Sequence, residues 1–281
     1  MRVKAPAKIN LYLDVLSKRE DGYHNLDMVM LPLKLHDTIE IEKLLYGNDT
    51  YITCDHVDLQ ETKYNLITLT IAEMRKRYGI KDNFNVCIHK EIPISGGLGG
   101  GSSNSAAAIK ALESLCNLKL DEKEETDLAL QLGADVPYCL KNMPAHVEGI
   151  GETVTPIKMK KPFYVILMKP SKGLSTKRVF EASDKKPLYH GNVNDVITAL
   201  ETGDDELLEK SMFNSLELTS IELVPEIQQI KDMLRKDGFK LVLMSGSGST
   251  VFALTRDRKF AKHKVREYEN KNYNVILTKT Y

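Results

Sequence analysis

Five glycines fall within six positions in Pro93-Ile94-Ser95-Gly96-Gly97-Leu98-Gly99-Gly100-Gly101-Ser102-Ser103, and a small-residue segment, Asn104-Ser105-Ala106-Ala107-Ala108, follows directly. Missing Cβ atoms let a ligand approach the backbone, and glycine tolerates the positive φ angles that turn successive N–H groups toward one anion. The chemistry this suits is phosphate binding at a helix N-terminus, with Ser102 and Ser103 expected to cap the helix. A flexible surface loop is the plainer alternative, but it would not be bounded by an alternating strand pattern and an alanine-rich helix. Two known glycine signatures fail. The pattern G-x-x-x-x-G-K-[ST] fits from Gly96 to Gly101 and then has Ser102 in place of the lysine, and G-x-G-x-x-G from Gly97 also ends on Ser102. Any balancing cation must therefore come from elsewhere in the chain.

Two charged residues stand in unusual surroundings. In Ala5-Pro6-Ala7-Lys8-Ile9-Asn10-Leu11, Lys8 and Asn10 share one face of an alternating strand, about 6–7 Å apart. Taken by itself, that face reads as solvated. Asp135 lies between Gly133 and the apolar run Val136 to Leu140, where a carboxylate needs a partner. A turn or cap aspartate is the alternative. Tyr23-His24, after the polar turn Lys18 to Gly22, is either a base-stacking pair or a packed tyrosine with a surface histidine. Ser245-Gly246-Ser247-Gly248-Ser249-Thr250 is a second glycine-rich turn, richer in hydroxyls than a hairpin requires.

The elements that must position these residues follow from periodicity. Strands are expected at 9–15, at 25–35 and 38–45 as separate segments, at 84–88 feeding the glycine loop, and at 145–154, 163–168, 240–244, 251–255 and 275–278. Helices are expected from Asn65 as N-cap to Gly79, at 102–117, from an Asp121/Glu124 capping pair to Gly133, after Ser175-Thr176, and at 192–202, 204–213, 223–237 and 257–270. The run Lys158-Met159-Lys160-Lys161-Pro162 reads as a linker, so a domain boundary is expected near 156.

At 281 residues with 39 basic and 39 acidic side chains, nothing global attracts nucleic acid or an anionic membrane. Cys54, Cys87, Cys116 and Cys139 are dispersed among apolar neighbours without C-x-x-C and read as reduced core thiols. No apolar run approaches a membrane span and nothing marks secretion, so a cytoplasmic protein is expected.

Ala5-Pro6-Ala7-Lys8-Ile9-Asn10, Asp21-Gly22-Tyr23-His24, Leu98-Gly99-Gly100-Gly101-Ser102-Ser103, Leu132-Gly133-Ala134-Asp135-Val136-Pro137 and the Ser245–Thr250 turn occur in one order, and together they resemble the GHMP small-molecule kinases. Within that superfamily the set is similar to the branch that acts on a cytidine diphosphate-linked polyol in non-mevalonate isoprenoid precursor synthesis. The resemblance covers nearly the whole chain. It implies an α+β two-domain fold: an N-terminal ATP-binding domain of ribosomal-protein-S5-like α/β type at 1–156 and a ferredoxin-like C-terminal domain at 157–281. It implies ATP and Mg²⁺, with Lys8 and Asp135 catalytic and the loop Pro93, Ile94, Ser95, Gly96, Gly97, Leu98, Gly99, Gly100, Gly101, Ser102 and Ser103 on the nucleotide. Lys90 and Asn65 would lie near adenine. Tyr23 and Phe180 would sandwich the cytosine, His24 would hydrogen-bond it, Asn10 would meet the substrate tail and Thr176 its diphosphate. Metal ligands are not assigned by it, beyond the hydroxyl of Ser103 as a candidate. Asn104 and Ser215 depart from the family pattern, where aspartate is usual. Another GHMP kinase, or a nucleotide-binding homologue without turnover, are the remaining alternatives.

Overall fold

The computed structural model describes residues 1–46, 49–56, 66–187, 189–270 and 274–281. In chain order the first half carries β1 (Arg2–Lys18), β2 (His24–Lys43), β3 (Tyr51–Cys54), α1 (Leu66–Tyr78), β4 (Phe84–His89), α2 (Gly100–Leu115), α3 (Glu122–Leu132), α4 (Val136–Lys141), β5 (Ala145–Gly149) and β6 (Thr153–Pro156). The second carries β7 (Tyr164–Met168), α5 (Thr176–Ser183), α6 (Val193–Thr202), α7 (Asp205–Ser211), β8 (Phe213–Asn214), α8 (Glu217–Leu223), α9 (Glu226–Lys236), β9 (Leu241–Met244), β10 (Val251–Thr255), α10 (Arg258–Asn270) and β11 (Val275–Lys279). The segments 25–35 and 38–45, expected as two strands, are one continuous strand. Leu35-His36-Asp37 contains no glycine or proline to break it, and the Asp37 side chain is engaged rather than turning the chain.

Two compact units result, and neither is a single stretch of chain. One comprises Met1–Ala7, Leu35–Ile92 and Gly99–Asn142; the other comprises Lys8–Lys34, Pro93–Leu98 and Met143–Tyr281. Residue 156 ends β6 inside the second unit.

In the first unit β4 pairs antiparallel with the C-terminal half of β2, Ile39 opposite Ile88, and parallel with β3. Ile39, Ile41, Phe84, Val86 and Ile88 form the buried face, and Ile67, Ile71 and Met74 of α1 with Ala108, Ile109 and Leu112 of α2 supply the helical side of the core. Each fully buried aliphatic side chain contributes about 1.5–3 kcal/mol. The expected Asp121 capping box is present: its carboxylate accepts from Glu124 N at 2.8 Å, and Glu124 accepts from Asp121 N at 3.0 Å.

The second unit holds an antiparallel sheet in the order β11-β7-β10-β9. β7, β9 and β10 read as near-continuous apolar runs because they are buried, and the amphipathic α9 and α10 carry Ile227, Leu234, Ala261 and Val265 into the core. In the same unit β5 pairs with the N-terminal half of β2 and with β6, while β8 runs parallel to β1 with Tyr12 opposite Phe213.

None of the four cysteines forms a disulfide; Cys54 and Cys139 are buried as expected, whereas Cys87 and Cys116 are half-exposed rather than in the core. Among the described residues no helix is long and apolar enough to cross a membrane.

Candidate active site

Strand β1 departs from the half-buried pattern: every residue from Ala5 to Val15 is buried, the polar ones included. What read as a solvated face is an internal polar row. Lys8 is 4% exposed and its Nζ donates to Asn10 Oδ1 at 2.7 Å; Asn10 Nδ2 contacts Met28 Sδ at 3.6 Å. Farther along the same face, Asp14 accepts from Tyr12 OH at 3.0 Å and from Gly191 N at 3.2 Å, and lies 3.0 Å from His190 Nδ1. Ser215, where the family pattern has aspartate, accepts from Val15 N at 3.1 Å and so secures β8 to β1.

The front of the glycine loop, Pro93–Leu98, belongs to the same unit and is bound there through its carbonyls. Leu98 O accepts from Lys8 N at 3.0 Å, Gly97 O from Ser245 Oγ at 3.0 Å, and Gly96 O from Thr250 N at 3.3 Å. In a trans peptide the N–H points opposite its carbonyl, so the N–H groups of Gly97, Leu98 and Gly99 are aimed away from those anchors. Backbone N–H groups turned from such anchors are the groups an anion cradle uses. Gly97 has φ +73°, and a Cβ there would come within 2.1 Å of Ser245 O. Gly246 of the second turn, at φ +57°, covers the β1 pair: a Cβ on it would stand 3.3 Å from Lys8 Nζ and 3.5 Å from Asn10 Oδ1.

The rear of the loop belongs to the first unit. α2 begins at Gly100 with Gly99 as N-cap at φ +71°, and no side chain caps it; Ser103 N donates to Gly99 O at 2.8 Å. Ser102 and Ser103 are therefore helix residues rather than caps, because the left-handed Gly99 starts the helix earlier than serine caps would. The first-turn N–H groups stay open to a ligand. Asn104 is buried, with Oδ1 lacking a hydrogen-bond partner.

Lys90 forms an ion pair with Asp37, and both side chains are almost wholly buried. The other Asp37 oxygen accepts from Glu91 N at 2.8 Å and Ile92 N at 2.9 Å, fixing the chain as it enters the loop. Lys90 Nζ stands 3.3 Å from where a Gly100 Cβ would be. Asn65 lies outside the described residues.

Asp135 occupies the N-cap position of α4 without a side-chain capping bond, so it is not a capping aspartate, and it is half-exposed while Val136 to Leu140 behind it are buried. Tyr138 is buried with its hydroxyl unpartnered, and its pKa is pushed well up, first by burial and then by the charges of Cys139 and Asp135.

The remaining expected residues gather in the second unit around β2 and α5. Tyr23 is exposed, His24 is 9% exposed, and Phe180 stacks on the His24 ring with centroids 4.7 Å apart and planes 29° apart. Thr176 Oγ1 lies 2.9 Å from Ser247 Oγ. Sequence reasoning missed Asp184. Its Oδ1 is 2.6 Å from His24 Nε2 and its Oδ2 accepts from Lys18 Nζ at 2.5 Å. Burial alone would raise this carboxyl; the hydrogen bonds from Lys18 and His24 outweigh it and hold the group below the usual carboxylate range. The available signal was its place one helical turn after Phe180, on the same face. Among the described residues no group of three or more His, Cys, Asp or Glu is arranged to hold a metal ion.

Residues 65–142 match the family model for the GHMP kinases N terminal domain and residues 196–274 that for the GHMP kinases C terminal. A protein of Streptococcus equi subsp. zooepidemicus, provisionally named as a 4-diphosphocytidyl-2-C-methyl-D-erythritol kinase, is 39% identical over 277 residues, covering 99% of this chain and 98% of its own. The Clostridium botulinum (strain Eklund 17B / Type B) protein named 4-diphosphocytidyl-2-C-methyl-D-erythritol kinase is 36% identical over 281 residues, with 100% of both chains covered. A crystal structure of 4-(cytidine 5'-diphospho)-2C-methyl-D-erythritol kinase superposes with a TM-score of 0.81 at 30% identity, covering 100% of this chain and 99% of that one. With both GHMP domains matched and full-length identity well above 30%, this chain belongs to the 4-diphosphocytidyl-2-C-methyl-D-erythritol kinase family of GHMP kinases and has their two-domain fold, that of an ATP-dependent small-molecule kinase.

Proposed function

We propose that the chain transfers the γ-phosphoryl group of ATP to the 2-hydroxyl of 4-diphosphocytidyl-2-C-methyl-D-erythritol, a step of non-mevalonate isoprenoid precursor synthesis. The observation that carries this reading is the attachment of three sequence-distant motifs to one another: Lys8 N to Leu98 O, Ser245 Oγ to Gly97 O, and Gly246 over Lys8 and Asn10. In this reading the glycine-rich stretch Pro93 to Ser103 serves the triphosphate. Lys90 and Asn65 serve the nucleotide, and Asn10, Tyr23, His24, Thr176 and Phe180 serve the substrate. The assignment of 1–156 as the ATP-binding domain and 157–281 as the C-terminal domain is part of the same reading.

Phosphoryl transfer asks mainly for alignment and for charge opposite the transferring group. The substrate oxygen bonds to the γ-phosphorus as the bond to the β,γ-bridging oxygen breaks, ADP departs, and the hydroxyl proton passes to Asp135. A carboxylate is a far weaker base than the alkoxide it would have to generate, so Asp135 orients the hydroxyl and takes the proton late. Lys8, buried on β1, offsets negative charge on the transferring phosphoryl, the part played by the lysine that Ser102 replaces in the loop. Mg²⁺ would enter with ATP and supply further positive charge opposite the transferring group, with the Ser103 hydroxyl as the candidate protein contact.

The test is ATP consumption by purified protein with Mg²⁺, comparing the cytidyl substrate with 2-C-methyl-D-erythritol 4-phosphate, mevalonate and homoserine. Turnover confined to the cytidyl compound is expected. Equal or greater turnover of another alcohol, or none with the cytidyl compound, would overturn the substrate assignment.

A further inference from the structure

The turn that carries Tyr23 and His24 is clipped at both ends to one carboxylate. Lys18, just before it, donates to Asp184 Oδ2 at 2.5 Å, and His24, just after it, meets Asp184 Oδ1 at 2.6 Å. Inside the turn, Arg19 N donates to Tyr23 O at 2.8 Å and Gly22 N to Arg19 O at 3.1 Å. Asp184 is also the C-cap residue of α5, one turn beyond Phe180, which lies against the imidazole face. The carboxylate therefore holds one edge of the ring while Phe180 fixes its plane.

An ionised carboxylate accepts hydrogen bonds and cannot donate, so the proton between Asp184 and His24 resides on Nε2. A neutral ring protonated at Nε2 presents Nδ1 as an acceptor. Cytosine and uracil differ at position 4, where one offers an amino donor and the other a carbonyl acceptor. An acceptor at Nδ1 pairs with the first and repels the second.

We propose that Asp184 is a positioning residue that sets base choice: by keeping the His24 proton on Nε2 it leaves Nδ1 to accept from the 4-amino group of a cytosine and to reject a uracil. This rests on the cytidyl substrate proposed above. A site built to pair with a substrate N–H discriminates strongly against an analogue lacking it, and one neutral hydrogen bond with repulsion in the alternative corresponds to roughly 10–100-fold.

The experiment compares wild type, Asp184→Asn and Asp184→Glu with the cytidyl substrate and its uridyl counterpart, separating KM from kcat. Long-range proton–nitrogen NMR of the wild-type protein, with the His24 signals identified by their loss in His24→Gln, reports the tautomer directly. Expected are an Nε2-protonated His24 in wild type and a cytidyl preference of at least tenfold. In Asp184→Asn the preference falls to within about threefold of unity through a higher cytidyl KM, with kcat and the KM for ATP unchanged. Asp184→Glu recovers part of the preference. An Nδ1-protonated His24 in wild type, or an unaltered cytidyl preference in a folded Asp184→Asn, would overturn the inference. If wild type turns over neither compound, the proposed substrate fails on its own account, and binding of CDP against UDP decides the role of Asp184. A CDP preference lost in Asp184→Asn then supports it, and equal binding of the two refutes it.

Discussion

Replacing Gly97 by alanine tests the joint between the glycine loop and the Ser245–Thr250 turn. Two costs act on the folded state. The residue sits at φ +73°, where an L side chain costs about 1–2 kcal/mol. Its Cβ would also fall 2.1 Å from Ser245 O and 3.1 Å from both N and O of Gly248. These are backbone atoms and cannot swing aside, so the loop or the turn must shift, at a typical overpacking cost of about 1–3 kcal/mol. The expected loss is about 2–5 kcal/mol in urea denaturation. Gly22→Ala is the internal control, since Gly22 lies in the same unit at φ +86° with nothing within 4 Å of an added methyl, and should lose only the conformational cost of about 1–2 kcal/mol. Displacing the loop also tilts the Gly97–Gly99 amides, so the KM for ATP is expected to rise at least tenfold in Gly97→Ala and to stay within twofold in Gly22→Ala. Equal stability losses in the two variants would refute the close approach. A destabilised Gly97→Ala with normal KM for ATP would refute the cradle.

Asp135→Asn should lower kcat by at least about 10²-fold, the usual scale of a lost general base, while the KM for ATP stays within threefold; steady-state kinetics decide it. Asp37→Ala leaves the Lys90 ammonium buried beside the loop and should cost about 3–5 kcal/mol in denaturation, with Asp37→Ala/Lys90→Met recovering part of the loss. His146 Nε2 lies 2.6 Å from Asp27 Oδ1, and that hydrogen bond, against the opposing effect of burial, raises the imidazole pKa. A raised folded-state pKa stabilises fully below the unfolded value of about 6.5 and ceases to do so as pH rises through the folded value. The stability advantage of wild type over His146→Gln should therefore shrink with rising pH across that range, as read from denaturation midpoints at successive pH values.

The glycine loop, the Asp121 capping box and the helices of the C-terminal half were legible because each is specified by residues a few positions apart. The burial of β1 was not. Lys8, Asn10 and Asp14 alternate like a solvated face, and residues outside the strand, Gly246, Met28 and Gly191 among them, help to make that face internal. Serine at 102 and 103 suggested a capped helix start, yet a left-handed glycine one residue before the helix did that work and moved the start to Gly100. Asp37 and Asp184 carried no signal in the sequence; their partners Lys90 and His24 are 53 and 160 residues away, beyond any local pattern. Phe180 was legible as an aromatic on a helix, but not that it would lie against His24.

The interleaving of the two units constrains how the chain can be made. Residues 8–34 leave the ribosome early, yet the unit they belong to also needs 93–98 and 143–281. Until β8 is synthesised, the Tyr12–Leu13 edge of β1 lacks its Phe213–Asn214 partner, and until the 245–250 turn emerges Gly246 is missing from beside Lys8 and Asn10. The C-terminal residues close the same unit, with Thr280 N donating to Phe163 O at 3.0 Å and the Lys34 ammonium over the Tyr281 ring. A nascent chain stalled short of β8 would leave the Tyr12–Leu13 edge of β1 unpaired, a ready substrate for chaperones.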